Sequence, residues 1–228
     1  MMRRNIALIP AAGVGARFGA GKPKQYVEIN GKTVLQHTIE IFEQHPRIDL
    51  IAVILSPEDS VFQTALSEKV RVFRVGGASR AETVRNGVSV LLEQGLAEAQ
   101  DNILVHDAAR CCLPAEALTR LLDEAGENDE GGILAIPVAD TLKRSDGSHH
   151  IDETVARAGL WQAQTPQLFQ TALLNRALSV DDLSEITDEA SAVEKLGIRP
   201  RLVQGDTRNL KLTLPQDEYI VRLLLKAV

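Results

Sequence analysis

The sequence predicts an α/β fold: a mostly parallel sheet covered by helices on both faces, in one domain spanning residues 1–228, with a protruding β-arm at 139–158. Apolar runs of strand length alternate with stretches of helical spacing along most of the chain, which is the pattern of a sheet with helical crossovers. The first run empties into a loop holding Gly13, Gly15, Gly19 and Gly21. The alternation lapses only at 139–158, where two short strand-like halves flank a Ser-Asp-Gly-Ser turn. Composition agrees, because 228 residues at 44% hydrophobic and 25% charged can bury a substantial core. Twenty-five basic residues against 31 acidic ones leave a net charge of −6, which argues against a general nucleic-acid or membrane surface and makes any cationic cluster a local feature.

The first thirty residues hold such a cluster. Ile6 to Ile9 has the length of a buried strand, and the loop after it removes side chains that would keep a ligand from the backbone. Successive N–H groups there can form an anion-binding concavity, to which Arg17, Lys22 and Lys24 add positive charge. The combination suits a polyphosphate. Two well-known phosphate loops do not fit. The dinucleotide pattern G-x-G-x-x-G needs glycine where Phe18 stands, and the Walker pattern needs glycine at Ala16 and a hydroxyl at Pro23.

Next in the chain, Val34 to Gln44 carries Leu35, Thr38, Ile39 and Phe42 at helical spacing and ends at His45-Pro46. Leu50 to Leu55 reads as a second buried strand, Pro57-Glu58-Asp59 as the opening of a short helix, and Val70 to Val75 as a third strand. Gly76-Gly77-Ala78 then leads into Ser79-Arg-Ala-Glu82, a capping box starting a helix to about Leu92. Asn102 to Val105 is a central strand that delivers His106, Asp107 and Arg110 to the sheet edge where open α/β sheets bind ligands. Asp107 there is open to two roles, orienting a metal or substrate group or capping a helix before Pro114.

Leu118 to Ala125 continues as a helix and Gly131 to Val138 as a strand, after which comes the arm. An isolated two-stranded ribbon is marginal in water, so this one is expected to embrace a second subunit. Beyond it, Thr165 falls at a strand end and Pro166 at a helix start, Ile186 to Ser191 begins a capped helix, and Arg201–Gln204 and Asn209 to Leu214 are strand-like, the last presenting Lys211 to one surface.

Other features narrow the class. The basic start, Met1 to Arg4, leads into an apolar run too short for a signal peptide, and no stretch reaches membrane-spanning length. Cys111 and Cys112 are adjacent, poorly placed to bridge each other, and read as structural. A reducing cytoplasm is the expected setting. His37 and His45 carry no assigned role, and the neighbouring His149 and His150 read as a polar hairpin tip.

Pro10-Ala-Ala-Gly13-x-Gly15-x-Arg17 followed by Pro23-Lys-Gln-Tyr26 resembles the nucleotide-binding segment of nucleotidyltransferases that activate sugar and polyol phosphates, and in particular the 2-C-methyl-D-erythritol 4-phosphate cytidylyltransferases. H-D-A-A-R at 106–110, the arm, Thr165, Thr187 and N-L-K-L-T at 209–213 extend the resemblance over essentially the whole chain. It implies a Rossmann-like nucleotidyltransferase domain, a homodimer, and transfer of CMP from CTP to the polyol phosphate with release of pyrophosphate and Mg²⁺ or another divalent ion as cofactor. By the same resemblance Ala11, Ala12, Gly13, Gly15, Gly77, Ala78 and Thr83 hold the nucleotide. Asp107, Arg110, Thr141, Thr165 and Thr187 contact substrate, with Asp107 the candidate metal contact through water, and Thr141 and Arg157 reach the neighbouring subunit's site. The chain departs from the family at Ala78, where relatives often carry an acid, at Thr83, often serine, and at Cys111, usually proline.

The implied chemistry is direct attack of the acceptor phosphate on the α-phosphorus of CTP. A phosphate monoester is already largely ionised at pH 7, so catalysis should be positioning plus charge neutralisation. Arg17 and Lys24 would stabilise charge on the triphosphate while Arg157 and Lys211 clamp the incoming phosphate. A cytidylyltransferase for another polyol phosphate, such as ribitol 5-phosphate, would share every nucleotide-side motif. A dehydrogenase does not explain the glycine spacing or the basic loop, and a non-catalytic nucleotide sensor gives no reason for Lys211 and Arg157.

Overall fold

The computed structural model describes residues 3–13, 23–63 and 67–226. Its central sheet has seven strands in the spatial order β11 (Arg201–Gln204), β7 (Gly132–Pro137), β10 (Trp161–Gln170), β6 (Asn102–Val105), β1 (Asn5–Pro10), β4 (Leu50–Ile54) and β5 (Val70–Phe73). Only β10 runs antiparallel to its neighbours, β6 and β7; the other pairs are parallel.

Strand alternation divides the core into two layers. Ala7 and Ile9 of β1 face one way with Ile51, Val53 and Leu104, onto α1 (Val34–Gln44) and α3 (Ala115–Ala125). Ile6 and Leu8 face the other way with Ile54, Ile103 and Phe169, onto α2 (Arg80–Glu93) and α4 (Thr171–Leu178). A strand buried on both faces needs an unbroken apolar run, and Ile6 to Ile9 is one. Fully buried side chains such as Phe42 and Phe169 each contribute about 1.5–3 kcal/mol by leaving water. A smaller cluster, containing Ile29, Ala109, Cys111, Leu212 and Val221, seats α6 (Asp217–Leu224) and the segment that carries Lys211. Among the described residues no helix is long and apolar enough to cross a membrane.

Local signals set the helix starts. Thr33 caps α1 in a reciprocal box with Gln36, worth about 1 kcal/mol. Ser79 accepts from the Glu82 N–H at 3.1 Å, but the Glu82 carboxylate turns to the Ala78 N–H at 2.8 Å, so only half of the expected box forms. Gly76 is required by packing: a Cβ there would lie 2.3 Å from the Ala12 Cβ, so the loop after β5 could not close on the loop after β1.

Three expectations fail. Pro57-Glu58-Asp59 opens a turn, not a helix, because the Asp59 carboxylate takes the Val61 and Phe62 N–H groups at 3.1 and 2.9 Å. Thr165 and Pro166 do not mark a strand end and a helix start. Both lie inside β10, across a cis peptide where its register with β7 shifts, and α4 begins only at Thr171. Asn209 to Leu214 is not a strand, since its backbone is held by single bonds, such as Leu212 N–H to Ala109 O at 2.9 Å, in place of a ladder. The arm forms as expected: β8 (Leu142–Ser145) and β9 (Ile151–Val155) make a separate antiparallel ribbon of mostly exposed residues, with Arg144 and Glu153 paired across it at 2.6 Å.

Candidate active site

The carboxyl ends of β1 and β6 and the turn into α2 surround a cavity of about 570 Å³. Ala11, Ala12, Gly13, Lys24, Gly77, Ala78, Thr83, Asp107 and Lys211 all line it. Gly15 and Arg17 lie outside the described residues, as do Gly19, Gly21 and Lys22.

Lys24 opens a one-turn 3₁₀ helix, Lys24–Tyr26, just after Pro23. That turn is tied to the first loop by Gln25, whose Nε2 donates to the carbonyls of Ala11 and Gly13, both at 3.0 Å. Gln25 is 5% exposed, so its amide is spent on holding the two segments together. Thr83 works similarly on the opposite wall. Its hydroxyl donates to Ser79 O at 2.9 Å and accepts from the Gly77 N–H at 3.1 Å.

Asp107 sits at the centre of a charge cluster. Its Oδ1 accepts from Arg80 Nε at 2.9 Å, and its Oδ2 meets Lys211 Nζ at 2.8 Å and Arg110 Nε at 3.6 Å. Burial alone would push this carboxyl up, but the charges of Arg80, Lys211 and Arg110 outweigh it and hold Asp107 well below the usual carboxylate range. The negative charge that Asp107 brings to the cavity wall is thus offset by its own cations.

Behind this cluster, His106 is fully buried. The Arg110 carbonyl, 2.9 Å away, can only accept, so Nε2 carries the proton; Nδ1 then accepts from the Thr165 hydroxyl at 3.0 Å. The same hydroxyl oxygen accepts the Asp107 N–H at 3.1 Å. Burial pushes His106 down to about 4, so the ring is neutral and the chain of bonds is complete.

The family model for 2-C-methyl-D-erythritol 4-phosphate cytidylyltransferase, IspD, matches residues 5–227. The chain belongs to this family. A curated member from Neisseria meningitidis serogroup C is 70% identical, with 100% of each chain covered, and one from Chromobacterium violaceum is 50% identical over 97% of this chain and 98% of its own. A crystal structure of a 4-diphosphocytidyl-2C-methyl-D-erythritol synthase superposes with a TM-score of 0.89 at 64% identity, covering 99% of this chain and all of that one. The chain is thus an enzyme of the nucleotidyltransferase class with the α/β fold of IspD structures.

Not every residue expected in an IspD site lines the cavity. Thr165 is buried behind it, holding His106 and the Asp107 backbone. Arg110 lies beneath Asp107 and donates to the Asn209 carbonyl at 2.7 Å. Thr141 and Arg157 are exposed within the arm, flanking its ribbon, and Thr187 is exposed just before α5 (Glu189–Glu194).

Sequence reasoning missed Arg80, Glu189 and Gln25. Arg80 is bound to Glu189 by two bonds, Nη1 to Oε1 at 2.6 Å and Nη2 to Oε2 at 3.1 Å. A buried charge pair between residues so distant in the chain leaves no local pattern to read. Gln25 lay within Pro23-Lys-Gln-Tyr26 but has no charge to draw attention to it.

Proposed function

We propose that this enzyme transfers CMP from CTP to 2-C-methyl-D-erythritol 4-phosphate, releasing pyrophosphate. The observation that carries the reading is the placement of Lys24 and Lys211 in one cavity with the Gly77 to Thr83 turn, in a chain 70% identical to a cytidylyltransferase for that acceptor. The nucleotide would lie along Ala11 to Gly13, Gly15 and the Gly77 to Thr83 wall, with Arg17 and Lys24 on its phosphates. The Gly77 and Ala78 N–H groups are occupied by Thr83 and Glu82, and a cytosine amino group, a donor, would be read by carbonyl oxygens of this turn.

Lys211 would receive the acceptor phosphate from the Asp107 side of the cavity, and Arg157 from a partner subunit's arm would complete the clamp. Both the shared site and the homodimer are part of this proposal. The phosphate is its own nucleophile, so these residues orient and neutralise; no side chain needs to take a proton.

Mg²⁺ fits this site as a companion of the triphosphate, not as a protein-bound ion. Among the described residues no group of three or more His, Cys, Asp or Glu could hold a metal, and both Asp107 oxygens already face cations. Phosphate oxygens with water and at most one carboxylate are an ordinary magnesium environment, and the ion would supply charge neutralisation. Asp107 is the residue that would touch its water shell, and the free thiols of Cys111 and Cys112 suit a reducing cytoplasm.

Pyrophosphate release measured with CTP, ATP and GTP against 2-C-methyl-D-erythritol 4-phosphate and ribitol 5-phosphate tests the reading. CTP with the erythritol phosphate should be strongly preferred. Equal rates with ATP would sink the cytosine assignment, and preference for ribitol 5-phosphate the acceptor.

A further inference from the structure

Glu189 is 1% exposed, yet it is a carboxylate at the first position of α5. Burying it is costly unless its partners are well placed. They are. Both its oxygens are taken by the Arg80 guanidinium, at 2.6 and 3.1 Å, in the planar two-pronged geometry that fixes an arginine's direction as well as its charge. Arg80 has its remaining edge, Nε, on Asp107 Oδ1 at 2.9 Å, and Asp107 presents its other oxygen to Lys211 Nζ at 2.8 Å. The four side chains form one line of contacts from α5 through the start of α2 and the end of β6 to the segment that carries Lys211.

The buried end of this line is held rigidly. Asp188 caps α5 in a reciprocal box with Ser191. Gln167 on β10 clasps the same turn, its Oε1 accepting the Ala190 N–H and its Nε2 donating to Asp188 Oδ2, both at 2.8 Å. Lys211, at the other end, has a side chain 40% exposed on a segment with no strand ladder. Its ammonium is directed by Asp107, whose carboxylate is held closely by Arg80 at 2.9 Å, with Arg110 further off at 3.6 Å.

We propose that Glu189 is a positioning residue for the transfer reaction, acting through Arg80 and Asp107 to hold the Lys211 ammonium where the acceptor phosphate arrives. The inference rests on the reading of Lys211 as part of the acceptor clamp. Arg80 lines the cavity itself, with two of its three nitrogens committed to Glu189, so it serves as the link and not as a loose phosphate ligand. Because Thr187 lies two residues before Glu189, the same turn that sets Arg80 also sets one expected wall of the acceptor site.

The test compares Glu189→Gln, Glu189→Asp, Lys211→Ala and the double variant Glu189→Gln/Lys211→Ala, each checked by thermal melting to be folded at the assay temperature. Glu189→Gln should lower kcat roughly tenfold or more, since a displacement of about 1 Å at a reacting group can cost a hundredfold, with KM for CTP little changed. Adding it to Lys211→Ala should lower kcat no further, because its effect passes through Lys211. A merely structural role would give additive losses instead. Glu189→Asp, which keeps the charge but draws it back from Arg80, should fall between wild type and Glu189→Gln, and it carries the test if the glutamine variant does not fold. Additive losses, wild-type kcat in the folded Glu189 variants, or a change confined to KM for CTP overturns the inference. Wild-type kcat in Lys211→Ala overturns instead the clamp reading beneath it.

Discussion

Lys211 Nζ stands 2.8 Å from Asp107 Oδ2, an ion pair joining residues far apart in the chain on the floor of the cavity. Asp107 also holds Arg80 and Arg110, so removing its charge leaves three cations facing one another in a half-buried site. Asp107→Asn should destabilise the protein by about 3 kcal/mol, the cost of leaving buried charge without its partner. Activity should fall roughly a hundredfold as Lys211 loses its direction. Thermal melts and pyrophosphate release measure the two effects separately, and wild-type values in both would contradict the organising role of this carboxylate.

Lys24→Ala and Arg17→Ala should lower kcat far more than they raise KM for CTP, because charge grows on the phosphate oxygens as the transition state forms. Changes in KM alone would make both residues simple binding groups. Chelation of Mg²⁺ should stop turnover, and activity persisting under chelator would remove the metal from the reaction.

His106 gives the fold a pH dependence. Its folded value of about 4 lies below the ordinary 6.5, so the unfolded chain binds the extra proton first. Stability from this group is complete above pH 6.5 and is lost as pH falls from 6.5 toward 4, by up to about 3 kcal/mol in all. Denaturant unfolding at several pH values should follow that slope in wild type and lose it in His106→Gln. Below about pH 4 Asp107 takes over, since a carboxylate held below its usual range stabilises above its unfolded value and loses that contribution as pH falls further.

The arm makes a prediction about mixtures. If Arg157 serves the neighbouring site, Lys24→Ala and Arg157→Ala are each nearly inactive as pure dimers, while a mixed dimer has one intact site of two. Random reassortment makes half the dimers mixed, so about a quarter of wild-type activity should return when the two variants are denatured and refolded together. No recovery, with mixed dimers confirmed by mass, would place Arg157 in its own subunit's site.

Much of this was legible in the chain because the signals are local. An unbroken apolar run announces a strand buried on both faces, Ser79 announces a helix start, and Phe18, Ala16 and Pro23 separate this loop from the dinucleotide and Walker patterns. Where several local rules compete, the sequence misleads. Asp59 reads as a helix starter but spends its carboxylate on a turn, and Pro166 reads as a helix start but sits within β10.

What the sequence by itself determined was the fold class, the family and the short motifs that bring Lys24, Asp107 and Lys211 to one edge of the sheet. Tertiary structure alone decided which charges meet. Arg80 finds Asp107 across 27 residues and Glu189 across 109, while Gln25, uncharged and unremarked within its motif, and Thr165, expected as a substrate contact, do the holding. Backbone propensity and spacing act within a few residues. A buried carboxylate is tolerated only where folding brings a guanidinium to it, and that pairing is written in the crossing of α2, α5 and β6, not in any one segment.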